Sequence, residues 1–274
     1  MRYLFFSIVL LACSAQSQIK VMSYNLRVDF GGDGDNNWPF RREMLANQVQ
    51  SYRPDFLGTQ EGKVNQLAYL LKELPDYGYF GISRDNSDQV GEFSAIFYNL
   101  TRYRVLRQST FWLSETPDIK SKGWDAALER ICTYGLFEEI NTGKRFFVFN
   151  THLDHIGEAA RVNSVKLILK KIDALNIEKL PVIFMGDFNA EPNSETYKIA
   201  VDAMADSQAV SKEKPIGPKG TFNGFKFDEP VTKRIDYIFV KALNVSEYAV
   251  LNDSKDGRYP SDHFPVTASV EFKK

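Results

Sequence analysis

Residues 181–189 set an acid and an amide at the end of an apolar run: Val182, Ile183, Phe184 and Met185 lead into Gly186-Asp187-Phe188-Asn189. Apolar residues without alternation predict a strand covered on both faces. Gly186 permits a sharp turn or the close approach of a ligand. Asp187 and Asn189 stand two positions apart, so on an extended chain both project to one side. A carboxylate and an amide at the C-terminal end of an interior strand suit a metal, a phosphate or a reacting oxygen. The same residues could equally form an Asx turn capping the next helix.

Polar residues recur at the ends of other predicted strands. Asn25 closes the first, over 19–25, and Glu61 closes the second, over 55–61. The three histidines, His152, His155 and His263, all adjoin predicted strand ends with acids nearby. His152 follows the strand 145–151, Asp236 lies in the strand 233–240, and Asp262-His263 precede a terminal strand over 267–272. One such residue is ordinary. Asn25, Glu61, His152, Asp187, Asn189, Asp236, Asp262 and His263 together demand a common cause.

The ordered series Tyr24-Asn25, Gln60-Glu61, Thr151-His152-Leu153, Gly186-Asp187-Phe188-Asn189, Ile235-Asp236-Tyr237 and Ser261-Asp262-His263 resembles the endonuclease/exonuclease/phosphatase superfamily from about residue 19 to the C-terminus. That resemblance implies an α/β four-layer sandwich, two packed mixed β-sheets flanked by helices, with all six motifs at one edge. It also implies hydrolysis of a P–O bond assisted by Mg²⁺ or Mn²⁺. On this reading Glu61 is a metal ligand, Asn25 a neutral oxygen ligand or a partner that supports one, and Asp262 a second ligand, direct or through water. His263, oriented by Asp236, accepts a proton from the attacking water, Asp187 and Asn189 orient that water and a phosphoryl oxygen, and His152 donates to a non-bridging oxygen. A phosphodiesterase or nuclease is the leading expectation; a phosphatase or phospholipase C-like enzyme on sugar or lipid phosphates is the alternative. A catalytically silent binding protein on the same scaffold would be expected to lack Glu61, Asp236 or His263, and all three are present.

Two details of the motifs bear on substrate. Apurinic endonucleases carry an acid two residues after the first-motif Asn, where this chain has Arg27; that argues against an abasic-site enzyme. The run from Gly186 to Tyr197, with Glu191-Pro192-Asn193-Ser194, is similar to the deadenylase-like branch. Outside the motifs, Arg130 suits a bidentate contact to a substrate phosphate, or else a salt bridge to Glu129 or Asp125. His155 is a candidate to extend that contact or a structural histidine. Asp236 could instead pair with Arg234. Trp112, Trp124, Phe222 and Phe225 could stack on a base or sugar, with Trp112 assigned to the core.

Helices predicted over 38–52, 64–74, 158–175 and 194–204 follow or link these strands. Strands over 77–82, 94–98 and 103–113 form an antiparallel or mixed section broken by long loops at 84–93 and 114–129. A hairpin joins 131–140 to 145–151 around Asn141-Thr142-Gly143. Strand, polar end residue and helix recur in both halves, which predicts two sheets face to face in a single domain over 19–274. The acidic, glycine-rich stretch 31–37 lacks EF-hand spacing and reads as a solvated loop.

Residues 1–18 have a secretory signal's form: Arg2, an apolar core over 3–12 and small residues at 13–17. Residues 10–13 also resemble a lipobox, with Leu11 where a smaller residue is usual, so lipidation of Cys13 is an open alternative to simple export. Removing 1–18 takes Arg2 with it and leaves 33 basic against 35 acidic residues. No overall basic field draws the protein to polynucleotide, although a bound cation can supply positive charge locally. Cys132 alone then remains, which excludes a disulfide and a thiolate cluster within the mature chain. The expected partner is a phosphate ester (nucleic acid, nucleotide, lipid headgroup or sugar phosphate), and the expected state is a monomer.

Overall fold

A computed structural model describes residues 18–87 and 89–273. Residues 1–17 of the expected signal segment, Cys13 among them, lie outside the described residues. The first half holds β1 (Ile19–Asn25), α1 (Trp38–Tyr52), β2 (Phe56–Gln60), α2 (Val64–Glu73), β3 (Tyr77–Phe80), β4 (Ile96–Asn99) and β5 (Tyr103–Trp112). The middle holds β6 (Ile131–Glu139), β7 (Arg145–His152), α3 (Glu158–Leu175), β8 (Val182–Asp187) and α4 (Glu195–Ala203). The remainder is β9 (Ala205–Asp206), α5 (Ser207–Val210), β10 (Asp236–Lys241), β11 (Leu243–Val250) and β12 (Val266–Phe272).

Two six-stranded sheets result, ordered β11-β12-β1-β2-β4-β3 and β5-β6-β7-β8-β10-β9. Each has one parallel pair at its centre, β1 with β2 and β7 with β8, while the other pairings are antiparallel. The helices α1 and α3 make the two crossovers, as a parallel pair requires a connection of this length. Ile183 and Met185 of β8 pack between the sheets, while Val182 and Phe184 pack toward α3 and α4. That two-sided burial is why this strand has no polar alternation. Met22 and Leu57 of the other sheet face Leu45, Val49 and Leu67 of α1 and α2, completing four layers.

The topology dictates where the polar strand ends go. Strands of a parallel pair finish on the same edge, so Asn25 lies opposite Gln60, and His152 opposite Asp187. An antiparallel neighbour starts where its partner finishes. Asp236, the first residue of β10, therefore pairs with Asp187. The segment entering β12 likewise arrives beside the end of β1, with Val266 opposite Ser23.

Three sequence expectations need revising. The strands expected over 77–82, 94–98 and 103–113 do not form one section: β3 and β4 join the first sheet and β5 the second. Strand β11 was not anticipated, because a bulge between Val245 and Glu247 breaks the alternation that would reveal it. The 31–37 stretch contains a single 3₁₀ turn, Gly34–Asn36, and its Asp33 is engaged by Arg27 rather than only by solvent.

Candidate active site

Asn25 is fully buried and bridges the two halves of the cluster. Its Oδ1 accepts the Arg27 backbone N–H at 2.9 Å, which turns its Nδ2 toward Glu61 Oε1 and Asp187 Oδ2, each at 3.0 Å. Its amide oxygen is thus already engaged, and the side chain fixes the carboxylate of Glu61. Glu61 follows β2 with φ 62°, a left-handed turn that lifts it out of the strand. Its other oxygen accepts the Val28 N–H at 2.8 Å.

Gly186 aims the second set. Its φ is 151°, and a Cβ there would lie 2.1 Å from the Thr151 carbonyl oxygen, so only glycine fits beside β7. The turn after Asp187 combines both readings of Gly-Asp-x-Asn. Asp187 Oδ1 accepts the Asn189 N–H at 2.9 Å, an Asx turn, and Asn189 itself has φ 47°. The chain has therefore left the strand by Asn189, and turn geometry, not alternation, aims its amide. Asn189 Nδ2 donates to the Leu153 carbonyl and meets His152 Nε2, both at 3.0 Å.

Asp236 Oδ2 lies 2.9 Å from His263 Nδ1, while its Oδ1 is buried and has no hydrogen-bond partner among the described residues. The far nitrogen of the ring, Nε2, is 3.8 Å from Asp187 Oδ2. His152 Nε2 is 3.5 Å from that same oxygen. Burial pushes the Asp187 carboxyl up to about 7; the negative charge of Asp236 adds to this and His263 opposes it. Burial would lower the proton affinity of His263, but Asp236 and Asp187 outweigh it and hold the imidazole well above its ordinary value. His152 goes the other way: burial, then the charges of Arg130 and His263, hold it well below the usual range, so the ring is neutral.

Asp262 completes the edge. It is buried, with Oδ2 3.8 Å from Arg27 Nη1, and burial raises its carboxyl above the usual range, with the charge of Glu61 adding to the rise. Glu61, Asp187, Asp236 and Asp262 thus crowd one edge, while Arg27 divides itself between Asp262 and a bidentate contact to Asp33. Hard oxygen donors with excess negative charge fit a divalent cation of the Mg²⁺ or Mn²⁺ type. Asp187, Asp236 and His263 also bring one ligand atom each within 4.8 Å of one another. In that trio the Asp236–His263 hydrogen bond already occupies Nδ1, while Glu61 stands on the other side of Asn25.

A family model described as Endonuclease/Exonuclease/phosphatase family matches residues 22–263, from the first strand to the histidine of the last motif. The chain belongs to that family. It is 40% identical to a solved mannosyl-6-phosphatase of Bacteroides thetaiotaomicron, with a TM-score of 0.89 over 93% of this chain and 100% of that one. Mouse nocturnin is 23% identical over 95% of this chain and 67% of its own length. An uncharacterized protein of Acanthamoeba polyphaga mimivirus is 28% identical over 56% of this chain, which spans 60% of that relative.

All eight strand-end residues fall on the one edge that this family's motifs are expected to share. The outlying candidates fare differently. Arg130 is 5% exposed, and its Nε meets Asp154 Oδ2 at 3.3 Å, so the expected partners Glu129 and Asp125 are replaced by Asp154. Asp125 instead accepts the Ala159 and Ala160 N–H groups at the start of α3. Arg234 makes a bidentate pair with Asp206 at 2.8 and 2.7 Å, which leaves Asp236 to His263. His155 is half exposed, and its Nδ1 lies 3.0 Å from Arg130 Nη2. Arginine cannot accept, so that nitrogen does, and the His155 proton sits on Nε2. Trp112 is buried with Nε1 donating to the Arg84 carbonyl, while Phe222 stands edge-on to His263 at 5.1 Å between ring centroids.

Several supporting residues went unread in the sequence. Arg41 is buried and donates to the carbonyls of Leu26, Arg27, Asn36 and Pro260, tying the end of β1 to the segment before Asp262. Its signal was available: it lies on the same helical face as Trp38, Leu45 and Gln48. Thr221 and Asn223, in a stretch that reads only as a polar loop, receive the backbone of Ile235 and donate to the carbonyls of Asp262 and Ser261, respectively.

Proposed function

We propose that this chain is a divalent-cation-dependent phosphomonoesterase acting on a sugar phosphate. The observation that carries the hydrolytic reading is the Asp236–His263 pair at 2.9 Å facing buried Asp187, with Glu61 held on the other side of Asn25. Full-length likeness to a mannosyl-6-phosphatase at 40% identity supports the monoester and sugar readings. The slight acidic excess of the chain supports a small substrate over a polynucleotide.

Water attacks phosphorus in line with the ester oxygen, a new P–O bond forms, and the bond to the sugar oxygen breaks. Asp236 fixes His263 through Nδ1 and leaves Nε2 for the proton that the water gives up. Asp187, whose carboxyl burial raises, stands 3.8 Å from Nε2 of the same imidazole, so the water's proton joins an Asp187–His263 pair. Asn189 Nδ2 already donates to the Leu153 carbonyl and to Nε2 of neutral His152, so the expected donation from His152 to a non-bridging oxygen requires the phosphoryl group to displace that contact. Glu61, with Asp262 and Asp187 nearby, would hold the cation, and Asn25 keeps Glu61 in place. The cation, when bound, neutralises charge on the phosphoryl group and on the departing alkoxide, which then takes a proton from solvent.

The test is a panel assayed after chelation and again with Mg²⁺ or Mn²⁺: mannose 6-phosphate, glucose 6-phosphate, single-stranded RNA, duplex DNA and sphingomyelin. Cation-dependent release of inorganic phosphate from the hexose phosphates supports the reading. Turnover of a diester at rates the monoesters do not approach replaces it with the nuclease or phosphodiesterase reading, which the same catalytic atoms would serve. We further propose that residues 1–18 direct export and that the mature chain is a monomer; N-terminal sequencing of the mature protein and sedimentation would check these.

A further inference from the structure

Beside Glu61 and His152 lies a small open depression walled by Arg84, Glu92, Glu129 and Arg130. The depression itself offers only about 10 Å³, room for a single hydroxyl; we infer that the alcohol of the phosphate ester lies across its mouth, and that the Arg84–Glu92 pair in its wall recognises the alcohol's hydroxyl groups. The inference rests on the monoesterase reading above and deepens it.

The pair is built, not incidental. Arg84 Nη2 meets Glu92 Oε1 at 2.7 Å, and both side chains are only 17% exposed. The backbone sets them side by side, since the Arg84 N–H donates to the Glu92 carbonyl at 2.9 Å. The loop is anchored to the catalytic edge: the Phe93 N–H donates to the carbonyl of Gly62, the residue after Glu61. From the other side, Trp112 Nε1 donates to the Arg84 carbonyl. A polar pair locked by its own main chain loses little side-chain freedom on binding, which is the condition for selectivity.

The signs of charge identify the class of group. Arg84 and Arg130 share the wall with Glu92 and Glu129, and Arg130 is already turned to Asp154. Burial raises the Glu92 carboxyl and Arg84 opposes the rise, so this acid is held close against its cation. A second phosphate entering here would face two carboxylates. A hydroxyl both donates and accepts, so adjacent hydroxyls can satisfy a carboxylate and a guanidinium at once. A site that hydrogen-bonds a substrate hydroxyl rejects the analogue lacking it, because its own polar groups are then left unpaired.

The experiment compares glucose 6-phosphate with n-hexyl phosphate, which share the phosphoryl group and differ in hydroxyls. Each is assayed on the full chain and on Glu92→Gln and Arg84→Lys, with a thermal melt for each variant. The wild-type protein is expected to favour the hexose phosphate in kcat/KM. Each substitution is expected to cut that preference about 10- to 100-fold, the range for losing a charge-assisted hydrogen bond, chiefly through KM. Equal losses on both substrates, or an unchanged ratio, would overturn the assignment. So would a preference for a hexose bisphosphate that the variants strengthen. A wild-type enzyme that hydrolyses both monoesters equally well defeats the subsite alone, whereas one that hydrolyses neither defeats the monoesterase reading with it.

Discussion

Replacing Asp236 with Asn removes one negative charge and little else in volume. In the native protein Oδ2 lies 2.9 Å from His263 Nδ1, while Oδ1 is buried without a partner among the described residues. If the substituted side chain keeps its oxygen toward His263, a charge-assisted hydrogen bond becomes a neutral one. Hydrogen bonds to charged groups contribute about 1.5–3 kcal/mol, so the transition state loses roughly 10- to 100-fold. The amide nitrogen then occupies the orphan position, where an unsatisfied buried donor costs about 1–3 kcal/mol of stability. If the amide turns instead, it donates to Nδ1, forces the ring proton onto Nε2 and blocks proton uptake, at a cost of about 10²–10⁴. Turnover should therefore fall between about 10- and 10⁴-fold at saturating cation. The loss of the charge also lowers the proton affinity of His263, because burial then acts against it less opposed. Any acidic limb of the kcat profile set by this ring should move to lower pH. Steady-state rates across pH 5–9, with a melt to confirm folding, decide the matter. A well-folded variant within threefold of wild type, with an unshifted profile, would refute the assignment of the base.

Glu61→Gln should weaken Mn²⁺ binding at least about 10-fold, the scale for losing a ligand's charge or its support, read by calorimetric titration independently of turnover. Unaltered affinity would move the cation elsewhere. Gly186→Ala should destabilise by roughly 2–4 kcal/mol, since its Cβ would lie 2.1 Å from backbone at a φ that side chains rarely adopt. Urea denaturation with an unchanged midpoint would contradict that. In the chelated protein, native Asp187 keeps a proton that the unfolded chain has released, so its contribution to stability declines as pH rises from about 4 to 7. The raised His263 contributes in the same sense, being stabilising below its unfolded value and losing that contribution as pH climbs through its folded one. Melting temperature in EDTA should fall with pH across this window, less steeply in Asp187→Asn; equal slopes would show that Asp187 is not the group involved.

What could be read from the chain beforehand were residues whose chemistry is local to a strand end. Gly186-Asp187-Phe188-Asn189 announces itself by an apolar run that stops at an acid, and Ser261-Asp262-His263 by its place before a terminal strand. What could not be read depends on partners distant in sequence. Arg130 takes Asp154 rather than its near neighbours, and Arg234 takes Asp206, 28 positions away. Those pairings depend on how loops pack after the sheets form, about which no local pattern is informative. The same holds for β3 and β4 parting from β5. All three read as strands, but sheet membership is decided by long-range pairing, with Phe80 meeting Ile96 and Trp112 meeting Ile131. A bulge hid β11 because a one-residue shift inverts the faces that alternation relies on.

Strand order alone puts polar residues at the edge of each sheet, yet catalysis needs the sheets held at a fixed offset from each other. Asn150 supplies that constraint. It is fully buried on β7, two residues before His152, and its Nδ2 donates across the interface to the carbonyls of Thr59 and Ala95, both at 2.9 Å. Its Oδ1 accepts Gln60 Nε2 at 2.7 Å, immediately before Glu61. Close approach is possible because position 58 is glycine, where a Cβ would lie 2.7 Å from that same oxygen. Apolar packing between the sheets, through residues such as Phe56, Phe146 and Ile183, tolerates small sliding because it has no direction. A buried amide does not: displaced, it leaves several polar groups unpaired in a dry interior. One side chain outside every motif thereby holds the Glu61 end and the His152 end of the site at a common distance. This amide tie, more than the strand count, makes a single cluster of residues that lie more than two hundred positions apart in the chain.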